Sequence, residues 1–140
     1  MSAVKVAING FGRIGRSAFK IAWERGDIEV VAVNDLTDTK TLAYLLKYDS
    51  NYGTYDHEVG HDDSSIIVDG RHIRVLDEKD PADLPCGEMG VDVVIESTGL
   101  FTDAEGAGKH VQAGAKRVVI SGPTKSEGVD MIVLGANDDK

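Results

Sequence analysis

Gly10-Phe11-Gly12-Arg13-Ile14-Gly15 is a G-x-G-x-x-G string placed directly after a short apolar run. Each glycine in such a string has a physical task. Gly10 permits a tight turn, Gly12 lets the backbone approach a bulky anion, and Gly15 lets a following helix pack closely on the preceding strand. The N–H groups of Arg13 and Ile14 would then stand at a helix N-terminus, where orphan donors and the helix dipole favour a phosphate. Asp35 follows 20 residues after Gly15 and 25 after Gly10, the spacing of the ribose-binding acid in a dinucleotide fingerprint. A carboxylate there accepts hydrogen bonds from both hydroxyls of an adenosine ribose and repels a 2′-phosphate, which selects NAD over NADP. Leu36 beside it offers such a phosphate neither a donor nor a positive charge. The competing explanation is a plain strand–helix turn plus a solvated acid. The joint context of strand, glycines, helix, second strand and acid weighs against it.

A second cluster, Ser97-Thr98-Gly99-Leu100-Phe101, closes another apolar run and should border the same cleft. Thr98 and Gly99 are candidates to touch ribose or phosphate. Phe101 is either an adenine-facing ring or a core residue ahead of a capped helix, and the spacing leaves both open. Ser121 closes a further run, where an ordinary strand end is the commoner meaning. His57, His61, Asp62 and Asp63 have ligand-type side chains but no helical spacing, so a solvated loop is favoured over a zinc site. Cys86 follows Pro85 in an expected loop, with no basic neighbour in sequence to activate it.

The elements that must position these residues can be read in order. Val4–Asn9 alternates apolar residues and ends at Gly10, as a strand does. Ile14, Ala18, Ile21 and Ala22 mark one face of a helix over 13–25, stopped by Gly26. Ile28–Asn34 is a nearly continuous β-branched run, typical of a parallel strand buried on both faces. Thr37, Asp38 and Thr39 are possible N-caps of a short helix ending near Lys47. The stretch 49–60 is polar and expected to be irregular. Ser65–Val68 and His72–Leu76 flank Asp69-Gly70, a hairpin signal. Val91–Glu96 predicts a strand. Thr102 with Glu105 predicts a capped helix ending near Gly114, with Gly106 and Gly108 weakening it by about 1 kcal/mol each. Arg117–Ser121 and Met131–Leu134 predict two final strands. The alternation gives an α/β class: a Rossmann-type, doubly wound, mostly parallel sheet with a small antiparallel hairpin insertion.

Composition narrows the classes. The chain has 140 residues, a prior for one domain over 1–140. Fifteen Lys and Arg against 24 Asp and Glu leave a net charge of −9, which disfavours nucleic acid and anionic membranes as partners. No run of apolar residues is long enough for a membrane span, and Met1–Lys5 does not open a signal peptide. A single cysteine allows no internal disulfide and suggests the cytoplasm.

The string Val6-Ala7-Ile8-Asn9-Gly10-Phe11-Gly12-Arg13-Ile14-Gly15-Arg16 resembles the opening of the glyceraldehyde-3-phosphate dehydrogenases, the phosphorylating NAD enzymes of glycolysis. Val33-Asn34-Asp35-Leu36, Leu45-Leu46-Lys47-Tyr48-Asp49-Ser50, the run from Gly90 to Gly99 and the run from Ala113 to Ser121 continue the resemblance in order. It spans the whole chain. The resemblance implies that Arg13 and Ile14 hold the pyrophosphate and Asp35 the adenosine ribose. It also implies that Thr98, Gly99 and Phe101 line the adenine side, Ser121 lies towards the nicotinamide, and Asn9 and Asn34 shape the cleft. Lys79 stands where the family often has Arg and would contact adenine through its backbone. Cys86 and Gly122 replace the family's usual aromatic residue and Ala. The implied NAD-binding set is Asn9, Gly10, Phe11, Gly12, Arg13, Ile14, Gly15, Asn34, Asp35, Leu36, Lys79, Ser97, Thr98, Gly99, Phe101 and Ser121, with no metal ligand.

The family's catalytic cysteine sits in an S-C-T-T-N string, and none occurs in these 140 residues. In the whole enzymes that thiolate attacks the aldehyde, a histidine takes the proton, hydride passes to NAD, and phosphate releases the acyl group. The expectation is therefore an NAD-binding domain without a catalytic domain or catalytic residues, which binds NAD and does not turn over. Its implied partners are the catalytic domain of the same enzyme and a homotetramer of the whole protein, with self-association of the fragment. The alternatives are a stand-alone dinucleotide-binding or interaction module and the cofactor domain of an erythrose-4-phosphate dehydrogenase.

Overall fold

The computed structural model describes residues 4–49, 53–79, 84–98 and 104–120, with 49 and 104–107 described by their backbone alone. Strand β1 (Val4–Asn9) is central. It pairs in parallel with β2 (Ile28–Asn34) on one side and β8 (Val93–Glu96) on the other. Beyond β2 lies β7 (Arg71–Leu76), also parallel, and beyond β8 lies β9 (Arg117–Ile120). Strands β6 (Ser65–Val68) and β5 (Val59–His61) extend the sheet past β7 in antiparallel fashion, giving the order β5-β6-β7-β2-β1-β8-β9. The chain builds outward from β1 in one direction through β2 and in the other through β8. This is a Rossmann-type, doubly wound sheet, and its switch point lies at the C-terminal end of β1.

Alternation along β1, with a register shift by which Val30 and Ala32 of β2 pair with the successive residues Val6 and Ala7, gives the sheet two apolar faces. Val6, Ile8, Val30 and Val33 join Phe19, Ala22, Leu42 and Leu46 from helices α1 (Arg13–Glu24) and α2 (Thr39–Lys47) in one core. Ala7, Ala32 and Val94 turn the other way and pack with Leu84, Cys86, Val91 and Ala115. Asp38 is the N-cap of α2, accepting the Thr41 N–H at 2.7 Å. The Asp69-Gly70 turn has both φ angles positive, 51° and 81°, as a two-residue hairpin requires. Among the described residues no helix is long and apolar enough to cross a membrane.

Several expectations need correction. Cys86 is not in a loop. It opens a one-turn helix, α3 (Cys86–Met89), is buried, and has its thiol pushed up by burial, the opposite of activation. The stretch 49–60 is not wholly irregular, because β3 (Tyr48–Asp49) pairs with β4 (Gly53–Thr54) and β5 begins at Val59. Strands of two or three residues and a helix of one turn carry no readable period. The strand expected from Val91 starts at Val93, and α1 stops one residue short of Arg25. Helix α4 (Ala104–Gln112) is present, while Thr102 of the expected capping box and the strand at Met131–Leu134 lie outside the described residues.

His57 is more than a loop residue. Its Nε2 meets Glu24 at the end of α1, its Nδ1 meets Asp69 in the hairpin turn, and its ring lies against Trp23 and Tyr55. The two carboxylates raise the His57 pKa, and the imidazole lowers that of Asp69. A raised histidine stabilises fully below its unfolded value of about 6.5 and loses that contribution as pH rises through the folded value. The Asp69 contribution has the opposite sign: it is present above about pH 3.9 and lost as pH falls. The advantage of wild type over His57→Gln in thermal midpoint should therefore be greatest between those limits and shrink towards alkaline pH. A difference that stays constant from pH 5 to 9, roughly the span in which histidine titrates, would contradict this.

Candidate functional site

The turn from β1 into α1 is shaped by its glycines. Gly10 has φ +90°, and its N–H bonds the Asn34 carbonyl at 2.8 Å. A Cβ there would fall 2.8 Å from the Thr98 nitrogen. Gly15 presses on the Gly10 carbonyl oxygen, and a Cβ would also lie 3.1 Å from Ile8 Cγ2. Gly12 differs from both. It is the N-cap of α1, no side chain caps the helix, and a Cβ at Gly12 would meet nothing within 4 Å. The first helical bond runs from Arg16 N–H to the Gly12 carbonyl, so the preceding N–H groups have no helical acceptor. No acid stands in the first turn, and Arg13 and Ile14 are exposed. The result is an open, electropositive helix end.

Asp35 leaves β2 beside this turn. Its Oδ2 accepts the Phe11 N–H at 2.9 Å and its Oδ1 accepts the Thr37 N–H at 3.0 Å. Each carboxylate oxygen has a second lone pair for a ligand hydroxyl. Leu36 next to it is 62% exposed and brings no positive charge of its own. The Phe11 side chain points away from the cleft, buried edge-on against Phe19 at 5.7 Å, so only its backbone belongs to the site.

The opposite wall comes from the end of β8. Ser97 Oγ donates to the Gly10 carbonyl at 2.6 Å, and Thr98 lies against Gly10. Asn9 and Asn34 are buried, with Asn34 Nδ2 donating to Asn9 Oδ1 at 2.8 Å, so they brace the cleft from beneath. Asn34 also grips the Glu78 main chain through both its N–H and its carbonyl, which holds the exposed Lys79 beside the same strand ends. Gly99, Phe101 and Ser121 lie outside the described residues.

Sequence spacing missed Glu96 and His110. Both are fully buried under the Thr98 turn and meet at 2.7 Å. Burial pushes the Glu96 carboxyl up, but hydrogen bonds from His110, Thr98 and Asn9 outweigh it and hold the pKa below the ordinary value. An acid ending an apolar strand was the available signal. A separate cleft of about 560 Å³ lies at the other end of β2, lined by Trp23, Arg25, Glu29 and Arg71. It is remote from the strand C-termini and from every residue of the fingerprint.

Residues 4–104 match the family model described as glyceraldehyde 3-phosphate dehydrogenase, NAD binding domain. The chain belongs to the glyceraldehyde-3-phosphate dehydrogenase family. It is 58% identical over 138 residues to the glyceraldehyde-3-phosphate dehydrogenase of Geobacillus stearothermophilus, covering 99% of this chain and 41% of that protein. It is 56% identical over 138 residues to the enzyme of the same name from Streptomyces coelicolor, covering 98% and 41%. The chain thus spans about two-fifths of the length of these curated relatives. The stretch matched to the family's NAD-binding domain contains the fingerprint, Asp35 and the Thr98 turn.

Proposed function

We propose that this chain is the cofactor-binding part of an NAD-dependent, phosphorylating glyceraldehyde-3-phosphate dehydrogenase, and that it binds NAD without turnover on its own. The bond from Phe11 N–H to Asp35 Oδ2 carries the proposal. It holds the ribose acceptor against the loop that presents the free helix donors, so one dinucleotide meets both. The open face of Gly12 fits the same ligand, since a pyrophosphate needs that space. Arg13 and Ile14 would hold the pyrophosphate, Asp35 the adenosine ribose, and Thr98 and the Lys79 backbone the adenine side. Gly99, Phe101 and Ser121 complete the proposed set. When bound, the nicotinamide supplies the hydride acceptor.

The chemical step needs a cysteine nucleophile and a base. Cys86, the single cysteine, is buried in the core and cannot serve as the nucleophile. A catalytic domain and a homotetramer are the proposed partners of the whole protein, in the cytoplasm. Exposed Ile21, Tyr44, Tyr48 and Val119 favour self-association of the chain alone.

Calorimetry with NAD and NADP tests the proposal. NAD should bind at least about tenfold more tightly, since a 2′-phosphate would face Asp35 unpaired. Equal affinities refute the selection. Reduction of NAD by purified chain given aldehyde and phosphate refutes the absence of turnover. Sedimentation of the same samples reads association, and a monomer at every concentration overturns that part.

A further inference from the structure

Glu96 sits at the C-terminal end of β8 with four donors on its two oxygens. Oε1 accepts Asn9 Nδ2–H at 2.6 Å and His110 Nε2–H at 2.7 Å. Oε2 accepts the Thr98 N–H at 3.0 Å and the Thr98 hydroxyl at 2.6 Å. An ionised carboxylate is acceptor-only and offers about four lone-pair sites, so its capacity is filled. This fixes more than Glu96. Because Asn9 must turn its amide nitrogen to the carboxylate, it turns Oδ1 to Asn34. Asn34 must then answer with its own nitrogen, at 2.8 Å, which leaves Asn34 Oδ1 for the Glu78 N–H at 2.9 Å. One buried charge thereby sets the direction of two amides and holds main chain on both sides of the cleft, at Thr98 and at Glu78.

We propose that Glu96, braced by His110 of α4, is a positioning residue for the dinucleotide site, through the directed relay Glu96–Asn9–Asn34–Glu78 and its grip on the Thr98 turn. The inference rests on the NAD-binding role proposed above. Neither Glu96 nor His110 can touch the ligand, because their side chains have no exposed surface. Their contribution is preorganisation. Thr98 forms the wall against which Gly10 packs, and a loosened wall must be ordered again at the moment of binding. A glutamine at 96 has two donors where the relay presents four, so it leaves groups unpaired and allows Asn9 and Asn34 to flip.

The test compares Glu96→Gln, His110→Leu and His110→Gln with wild type, measuring NAD affinity by calorimetry well below each thermal midpoint. Amide proton shifts of Thr98 and Glu78 are recorded without ligand. Glu96→Gln and His110→Leu should weaken NAD about tenfold or more, and His110→Gln, which keeps a donor to Oε1, should recover most of the loss. The Thr98 amide should move upfield in Glu96→Gln as it loses its carboxylate acceptor, and the Glu78 amide should move with it. If Glu96→Gln does not fold, the two His110 variants carry the comparison. Wild-type affinity within about twofold in the folded variants, with lower thermal midpoints only, means a purely structural pair and overturns the proposal. A wild-type chain with no binding heat refutes the NAD role itself and is told apart by that heat alone.

Discussion

Gly15→Ala should lower the thermal midpoint by roughly 10 °C and abolish cofactor binding with it. The added methyl would enter the Gly10 carbonyl oxygen, with Ser97 Oγ at 3.0 Å and Ile8 Cγ2 at 3.1 Å closing the other sides. The nearest of these atoms is backbone, so no side-chain rotation relieves it. The same carbonyl accepts the Ser97 hydroxyl, and displacing it would break that bond too. Overpacking of this kind costs about 3 kcal/mol, the upper part of the usual range. The gain in helix propensity from Gly to Ala is about 1 kcal/mol and does not offset it. Gly12→Ala is the informative partner in the same melting series. Its Cβ meets open space, so the midpoint should fall by no more than about 4 °C, from the poorer cap. Its NAD affinity should nevertheless drop about tenfold, because the methyl fills the space proposed for the pyrophosphate. Equal midpoints for Gly15→Ala and wild type would refute the steric account.

Asp35→Asn should remove most of the preference for NAD over NADP. Hydrogen bonds to a charged acceptor are worth about 1.5–3 kcal/mol, so NAD should weaken roughly 10- to 100-fold. NADP should weaken less or gain, because the like charge facing its 2′-phosphate is gone. The amide keeps one oxygen for the Phe11 N–H or the Thr37 N–H but not both, so some local stability is lost as well. Thermal midpoints measured beside the affinities separate the two effects. An unchanged ratio of NAD to NADP affinity in a folded variant would remove Asp35 from the proposed ribose site.

Much of this fold was legible because its signals are local. β1 and β2 run as expected from their apolar runs, and the Asp69-Gly70 turn closes its hairpin. Gly10 and Gly15 show the turn and close packing that their spacing implies. The short elements were not legible. The one-turn helix at Cys86 is held by distant core partners, and the two-residue strands at Tyr48 and Gly53 are held by their pairing with each other, so none of them has a pattern of its own. His57 shows the same limit. Its partners Glu24 and Asp69 stand 33 and 12 residues away, and no spacing rule connects them.

The sequence by itself determined the family resemblance, the doubly wound class and the residues of the glycine turn with Asp35. Those depend on short motifs and on the period of apolar residues, both written in consecutive positions. Only the tertiary structure decided how the glycines divide their work. It makes Gly12 the open one and Gly10 and Gly15 the crowded ones, because the atoms that crowd them come from Ser97 and Thr98 after β8, from Ile8 of β1 and from the turn itself. It also decided that Phe11 faces the core and that Glu96 and His110 share a buried pair beneath the cleft. Glu96 lies 87 residues from Asn9 in the chain and 2.6 Å from it in space, and the charge acts through that distance alone.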